Sequence, residues 1–223
     1  MHRRLLISGV ITFIALTSVG CQQARQVGDF GRNMVDYFTG NTALAAAKRM
    51  EDNYFPDERR VGINYLTARP YGRQDPYTER YEQVAELDSD WLVRATAVRA
   101  LNRSRDAEAV DVYLKALGDQ NKFVRLEAAK ALANVPDERA VEPLTRVVGN
   151  ENEDKDVRIA ATGALRHYHT LPVARALVEV LDNRDFGVAW QANRSLRTLT
   201  GRDLRYDEAA WLEYITGPEK PFG

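Results

Sequence analysis

The sequence predicts an all-α protein, a solenoid of about five helical hairpins, and three observations lead there. A nine-residue pattern occurs four times, as VRATAVRAL, VRLEAAKAL, VRIAATGAL and VAWQANRSL, opening at Val93, Val124, Val157 and Val188. The steps between those valines are 31, 33 and 31 residues, and Leu101, Leu132, Leu165 and Leu196 close the copies at the same steps. Self-similarity at a fixed period of this size marks stacked supersecondary units. Within each copy the residues four, seven and eight places after the valine are apolar or small (Ala128, Ala131 and Leu132 in the second), the stripe of a 3.6-residue helix. Lastly, Asp90, Asn121, Asp154 and Asp185 each stand three residues before a valine. Such side chains accept from the free N–H groups of a first helical turn.

Taken in order, the chain of 223 residues opens on a stretch outside the repeats. His2-Arg3-Arg4 is a short basic start, and residues 5–16 are an apolar run of 12, below the ~20 needed to span a bilayer. Residues 1–20 therefore read as a signal peptide, whose removal takes two arginines and moves the formal charge from −1 to −3. Cys21, the single cysteine, follows directly. Residues 21–40 read as a tether in which Val27, Phe30, Met34 and Phe38 recur at helical spacing, suited to capping the first hairpin, the alternative being to rest on a membrane surface. Residues 41–216 form the solenoid. Its first hairpin is expected over residues 42–51 and 57–66, with Arg59 and Gly62 at the arginine and alanine positions of the repeat and Glu58 in place of its valine. A terminal unit is atypical because one flank faces water.

Residues 68–77, with two prolines and a glycine, form the longest interior loop, and residues 78–87 open the second hairpin. Three intervening helices, over 107–117, 139–148 and 172–181, carry Val110/Leu114/Leu117, Ala140/Leu144/Val147 and Val173/Leu177/Val180. Pro172 falls in a first turn, where its missing N–H costs nothing. Pro143 lies a turn further in and is expected to bend its helix. Over residues 199–214 one helix ends at Gly201 and a last one starts after Asp207, its Trp211 and Tyr214 covering the open end. Residues 217–223 are a short tail.

The V-R-x-x-A-x-x-A-L pattern, its preceding Asp or Asn, and the D-x-x-A-V start of the following helix resemble HEAT repeats, of the short bacterial type found in phycobilisome-lyase-like proteins. The resemblance covers residues 42–216 and implies the fold, while such repeats serve unrelated roles. The T-P-L-H and W-x-x-L-G signatures of ankyrin and tetratricopeptide units are absent. Val19-Gly20-Cys21 resembles a bacterial lipobox, with Ser18 where leucine is usual. That resemblance implies a lipid on Cys21 and export to a membrane of the cell envelope. Gln22, in place of aspartate, implies no retention at an inner membrane. The alternative is an ordinary signal peptide followed by a free thiol.

The formal charge of −1 argues against a nucleic-acid partner. His167 and His169 have no third ligand at suitable spacing, so no metal is expected. No nucleophile elbow, phosphate-cradling glycine loop or H-E-x-x-H occurs, so neither catalytic residues nor a small-molecule cofactor is expected. Arg94, Arg125 and Arg158 follow the repeat valines. The HEAT resemblance implies that they pair with acidic residues in an internal ladder, the alternative being a basic stripe. Two places past the valines stand Ala95, Leu126, Ile159 and Trp190, roughly 160° around the helix from the core centre. With Arg99, Lys130 and Arg194 beside them, and Glu127 and Gln191, they form a partner-binding track or fill the seams between repeats. The function expected is a non-catalytic scaffold for a protein or peptide. The alternatives are an accessory of the bilin-lyase type, whose cytosolic substrates suit an exported protein badly, and a self-associating structural component of the envelope.

Overall fold

In a computed structural model, residues 42–218 and 222 are described; the proposed signal peptide, Cys21, the tether and most of the tail lie outside them. Among the described residues there are eleven α-helices, three short 3-10 turns and no strand. Five hairpins follow one another. They are α1 (Ala43–Met50) with α2 (Pro56–Thr67), α3 (Tyr77–Leu87) with α4 (Trp91–Ser104), and α5 (Val110–Ala116) with α6 (Lys122–Asn134). The last two are α7 (Val141–Gly149) with α8 (Lys155–Ala164), and α9 (Leu171–Val178) with α10 (Phe186–Thr200). Helix α11 (Glu208–Thr216) packs on α9 and closes the stack.

The second helices form the spine. Each of α2, α4, α6, α8 and α10 packs directly on the next, whereas consecutive first helices meet only at their margins. The second helices thus make one continuous packed row along the solenoid. Val93, Val124, Val157 and Val188 stand in line along that row and are fully buried, as are Leu101, Leu132, Leu165 and Leu196. Ala97, Ala128, Ala161 and Ala192 are fully buried too, small enough to let adjacent helices approach.

Three of the four expected caps form. The side chain of Asp90 accepts from the N–H groups of Leu92 and Val93, Asn121 from Phe123, and Asp154 from Asp156. Asp185 makes no such bond; its own N–H donates to Asn183 Oδ1 at 3.1 Å, and that asparagine holds the start of α10. Pro143 does not bend its helix. Residues Glu138–Ala140 are a 3-10 turn and α7 begins at Val141, so the proline sits in the first turn where no N–H is needed. The long interior loop is partly a 3-10 turn at Pro70–Arg73, tied down by the Tyr81 hydroxyl donating to the Gly72 carbonyl at 2.9 Å. Gly201 ends α10 with φ +69°, a left-handed conformation that glycine adopts without strain. Trp211 is fully buried beneath the end of the stack, its indole N–H donating to the Arg205 carbonyl at 2.9 Å.

Candidate functional site

The arginines after the repeat valines face into the stack. Arg94 forks onto Asp119 at 2.8 and 3.0 Å, and its remaining nitrogen donates to the Asp88 carbonyl at 2.9 Å. Arg125 repeats the arrangement with Glu153 at 2.8 and 2.7 Å, and Arg59 with Asp88 at 2.7 and 2.8 Å. Asp88 and Asp119 also accept from the N–H two residues on, which fixes each loop before its helix. Burial alone pushes the Asp119 carboxyl up, but the hydrogen bond from Arg94, the Asn121 N–H and nearby guanidinium charges hold it below the usual carboxylate value. Arg158 departs from the acidic ladder. It is 1% exposed, donates twice to the Val148 carbonyl at 3.1 Å, and meets only the neutral Asn183 amide at 3.5 Å. These cations are structural struts, not a phosphate-binding stripe.

The register two places past the valines divides. Ala95 is buried, while Leu126 and Ile159 are half-buried on one groove of about 660 Å³ across α6, α8 and α10. Ile159 also reaches over Gly187 at the start of α10, where a Cβ would come within 2.8 Å of its Cδ1. It therefore fills a seam and lines the groove at once. Arg99 and Lys130 are drawn together by Glu127, which is buried and paired to both at 3.2 and 3.1 Å. Gln191 is buried against Ser195.

Trp190 is 46% exposed, and Arg194, one turn on, lies over its ring at 5.4 Å. Both line a second groove of about 840 Å³ between α10 and the following loop, with Arg197, Arg202, Arg205 and Tyr206. Phe186, one turn before Trp190 and 68% exposed, meets Tyr206 with ring centroids 6.0 Å apart. Residues 201–206 link the last two helices. Register singles out Trp190 and Arg194, and the signal that extends them is Phe186 one turn earlier with the arginines in GRDLRY.

The family described as HEAT repeats matches residues 79–166. Those residues are HEAT repeats. No curated protein matches the sequence. Among solved structures, the chain is similar to the complex of CpcE and CpcF of phycocyanin lyase from Nostoc sp. PCC7120, at 18% identity, with 79% of this chain and 71% of that chain covered and a TM-score of 0.60. An engineered protein is similar at 18% identity, with 79% of this chain and 91% of that one covered and a TM-score of 0.52. Likeness at this identity establishes the fold alone.

Among the described residues, no group of three or more His, Cys, Asp or Glu side chains is placed to hold a metal. Burial and the charge of Arg166 lower the pKa of His167. No helix among the described residues is long and apolar enough to cross a membrane.

Proposed function

We propose that this chain is a non-catalytic HEAT scaffold, exported and held at an envelope membrane by a lipid on Cys21, that binds another protein through its second-helix face. The observation that carries the reading is the pair of grooves along that face. Leu126 and Ile159, from successive repeats, line the first, and Trp190 stands in the second one repeat further on. A curved row of helices offers an extended docking surface without a closed cavity. The solved likeness from Nostoc is itself a complex of two proteins, which supports a protein partner. Largely buried carboxylates are spent on holding the stack: Asp119 on Arg94, Glu153 on Arg125, Glu127 on Arg99 and Lys130. That supports a role without chemistry. Two experiments test the reading. Photoreactive residues at Ile159 and Trp190 are expected to crosslink one protein in cells, and Cys21→Ser is expected to move the chain from the membrane to the soluble fraction. Wild-type protein that is already soluble after cell breakage removes the anchor.

A second reading rests on the same likeness to phycocyanin lyase: an accessory that holds a bilin-carrying partner. It requires a tetrapyrrole absorbance band to co-purify with the chain. A colourless preparation from a pigment-producing host ends it.

A further inference from the structure

The groove at the end of the stack differs in chemistry from the rest of the surface. Its lining includes four arginines, Arg194, Arg197, Arg202 and Arg205, against one carboxylate, Asp203, in a chain whose formal charge is −1. Asp203 is engaged by Arg197 at 3.5 Å. Among the described residues, no carboxylate forms an ion pair with Arg194 or Arg205. Along the first groove, by contrast, the lining carries two cations, Lys130 and Arg166, against Asp156, and Lys130 is paired to Glu127. The positive charge is therefore concentrated at one end of the second-helix face.

An aromatic edge adjoins the groove, where Phe186 packs on Tyr206 just outside the lining. Phe186, Trp190 and Arg194 succeed one another at single helical turns, a stripe of roughly 12 Å at ~1.5 Å per residue, about the length of four extended residues. Tyr206, 44% exposed, forms the opposite wall with the loop that carries it. A guanidinium fork matches a carboxylate in two parallel hydrogen bonds, and a half-exposed tryptophan beside it supplies an anchor for an apolar side chain.

We infer that this groove is the docking site for an acidic linear segment of the partner protein, with carboxylates on Arg194 and Arg205 and an apolar side chain on Trp190. The inference rests on the scaffold reading above and adds the partner's chemistry and the place where it enters. An anionic membrane surface would meet the same charges, but a trough between a helix and a loop fits a chain better than a plane.

The test uses the full chain and a fluorescein-labelled decapeptide of alternating glutamate and leucine, with the lysine–leucine peptide and phosphatidylglycerol vesicles as competitors. Saturable binding of the acidic peptide is expected, with Arg194→Glu and Trp190→Ala each weakening it by at least about tenfold. Leu126→Ala in the first groove is expected to leave it within about twofold. Far-UV circular dichroism and thermal melts check that the variants fold, as both side chains are accessible. Equal binding of the basic peptide, an unaffected Arg194→Glu variant, or displacement by vesicles at lower concentration overturns the inference. A photoreactive residue at Ile159 that crosslinks a partner while one at position 190 does not leaves the scaffold standing and removes the acidic segment. Crosslinking at neither position removes both.

Discussion

The guanidinium of Arg158 meets the amide oxygen of Asn183 at 3.5 Å, where the three earlier rungs of the same ladder close on carboxylates: Arg59 on Asp88, Arg94 on Asp119 and Arg125 on Glu153. The best-buried arginine of the series thus has the weakest counter-charge. Asn183 otherwise imitates Asp88 and Asp119, since its oxygen accepts the N–H of Asp185 two residues on. Asn183→Asp keeps that bond and adds a charge-assisted one. After the desolvation of the new carboxylate is subtracted, a gain of about 1 kcal/mol is expected, or roughly 2–4 °C in melting temperature for a chain of this size. A melt by differential scanning calorimetry at neutral pH decides it, and a lower midpoint sinks the account.

The converse change at Asp119 should cost stability and carry a pH signature. Its folded pKa is depressed below the unfolded value of ~3.9, so its contribution is complete above about pH 4 and lost as pH falls through the folded pKa. Asp119→Asn is expected to cost about 1–2 kcal/mol at pH 7, because Arg94 then faces a neutral group. Urea denaturation at a series of pH values should show that penalty shrinking through the acid limb. A penalty independent of pH would mean that packing, not charge, separates the two proteins.

Much of the architecture was legible because it is local and periodic. Val93, Val124, Val157 and Val188 share one environment since each meets the same neighbours one repeat away, so spacing alone revealed their role. The ladder was legible as far as the arginines went. Arg158 was not, because the residue that receives it from the next unit is an asparagine where the other rungs have a carboxylate. The candidate surface was read in part. Register placed Leu126, Ile159 and Trp190 on the second-helix face, but whether Arg99 and Lys130 were open to a partner turned on Glu127, whose side chain reaches both cations. The wall supplied by Tyr206 comes from a loop outside the repeat, where periodicity has nothing to say.

Two buried tyrosines separate packing from hydrogen bonding. The Tyr113 hydroxyl is buried without a hydrogen-bond partner, and burial drives its pKa upward. The Tyr81 hydroxyl, also pushed up by burial, to about 12, donates to the Gly72 carbonyl at 2.9 Å. Tyr113→Phe removes an unsatisfied polar atom and is expected to be neutral or to stabilise by up to about 1 kcal/mol, whereas Tyr81→Phe should cost about 1 kcal/mol. Matched urea titrations of the two variants check the contrast. Equal effects would mean that the Tyr113 hydroxyl has found a partner in solution.

The first hairpin depends on a glycine that the repeat pattern replaces with alanine elsewhere. A Cβ on Gly62 would lie 2.4 Å from the Ala46 carbonyl oxygen and 2.6 Å from the Met50 nitrogen, so the obstacle is backbone and cannot swing aside. Alanine gains up to about 1 kcal/mol over glycine inside a helix, but an overpacked contact costs about 1–3 kcal/mol, and here the helices must part to admit the methyl. Gly62→Ala is therefore expected to lower stability by about 1–2 kcal/mol and to loosen α1 from α2, while α4 to α10 keep their packing. Gly149→Ala is the control, since nothing lies within 4 Å of its added Cβ. Amide hydrogen exchange distinguishes the outcomes. Faster exchange confined to α1 and α2 in Gly62→Ala supports the close-approach account, and wild-type protection there refutes it.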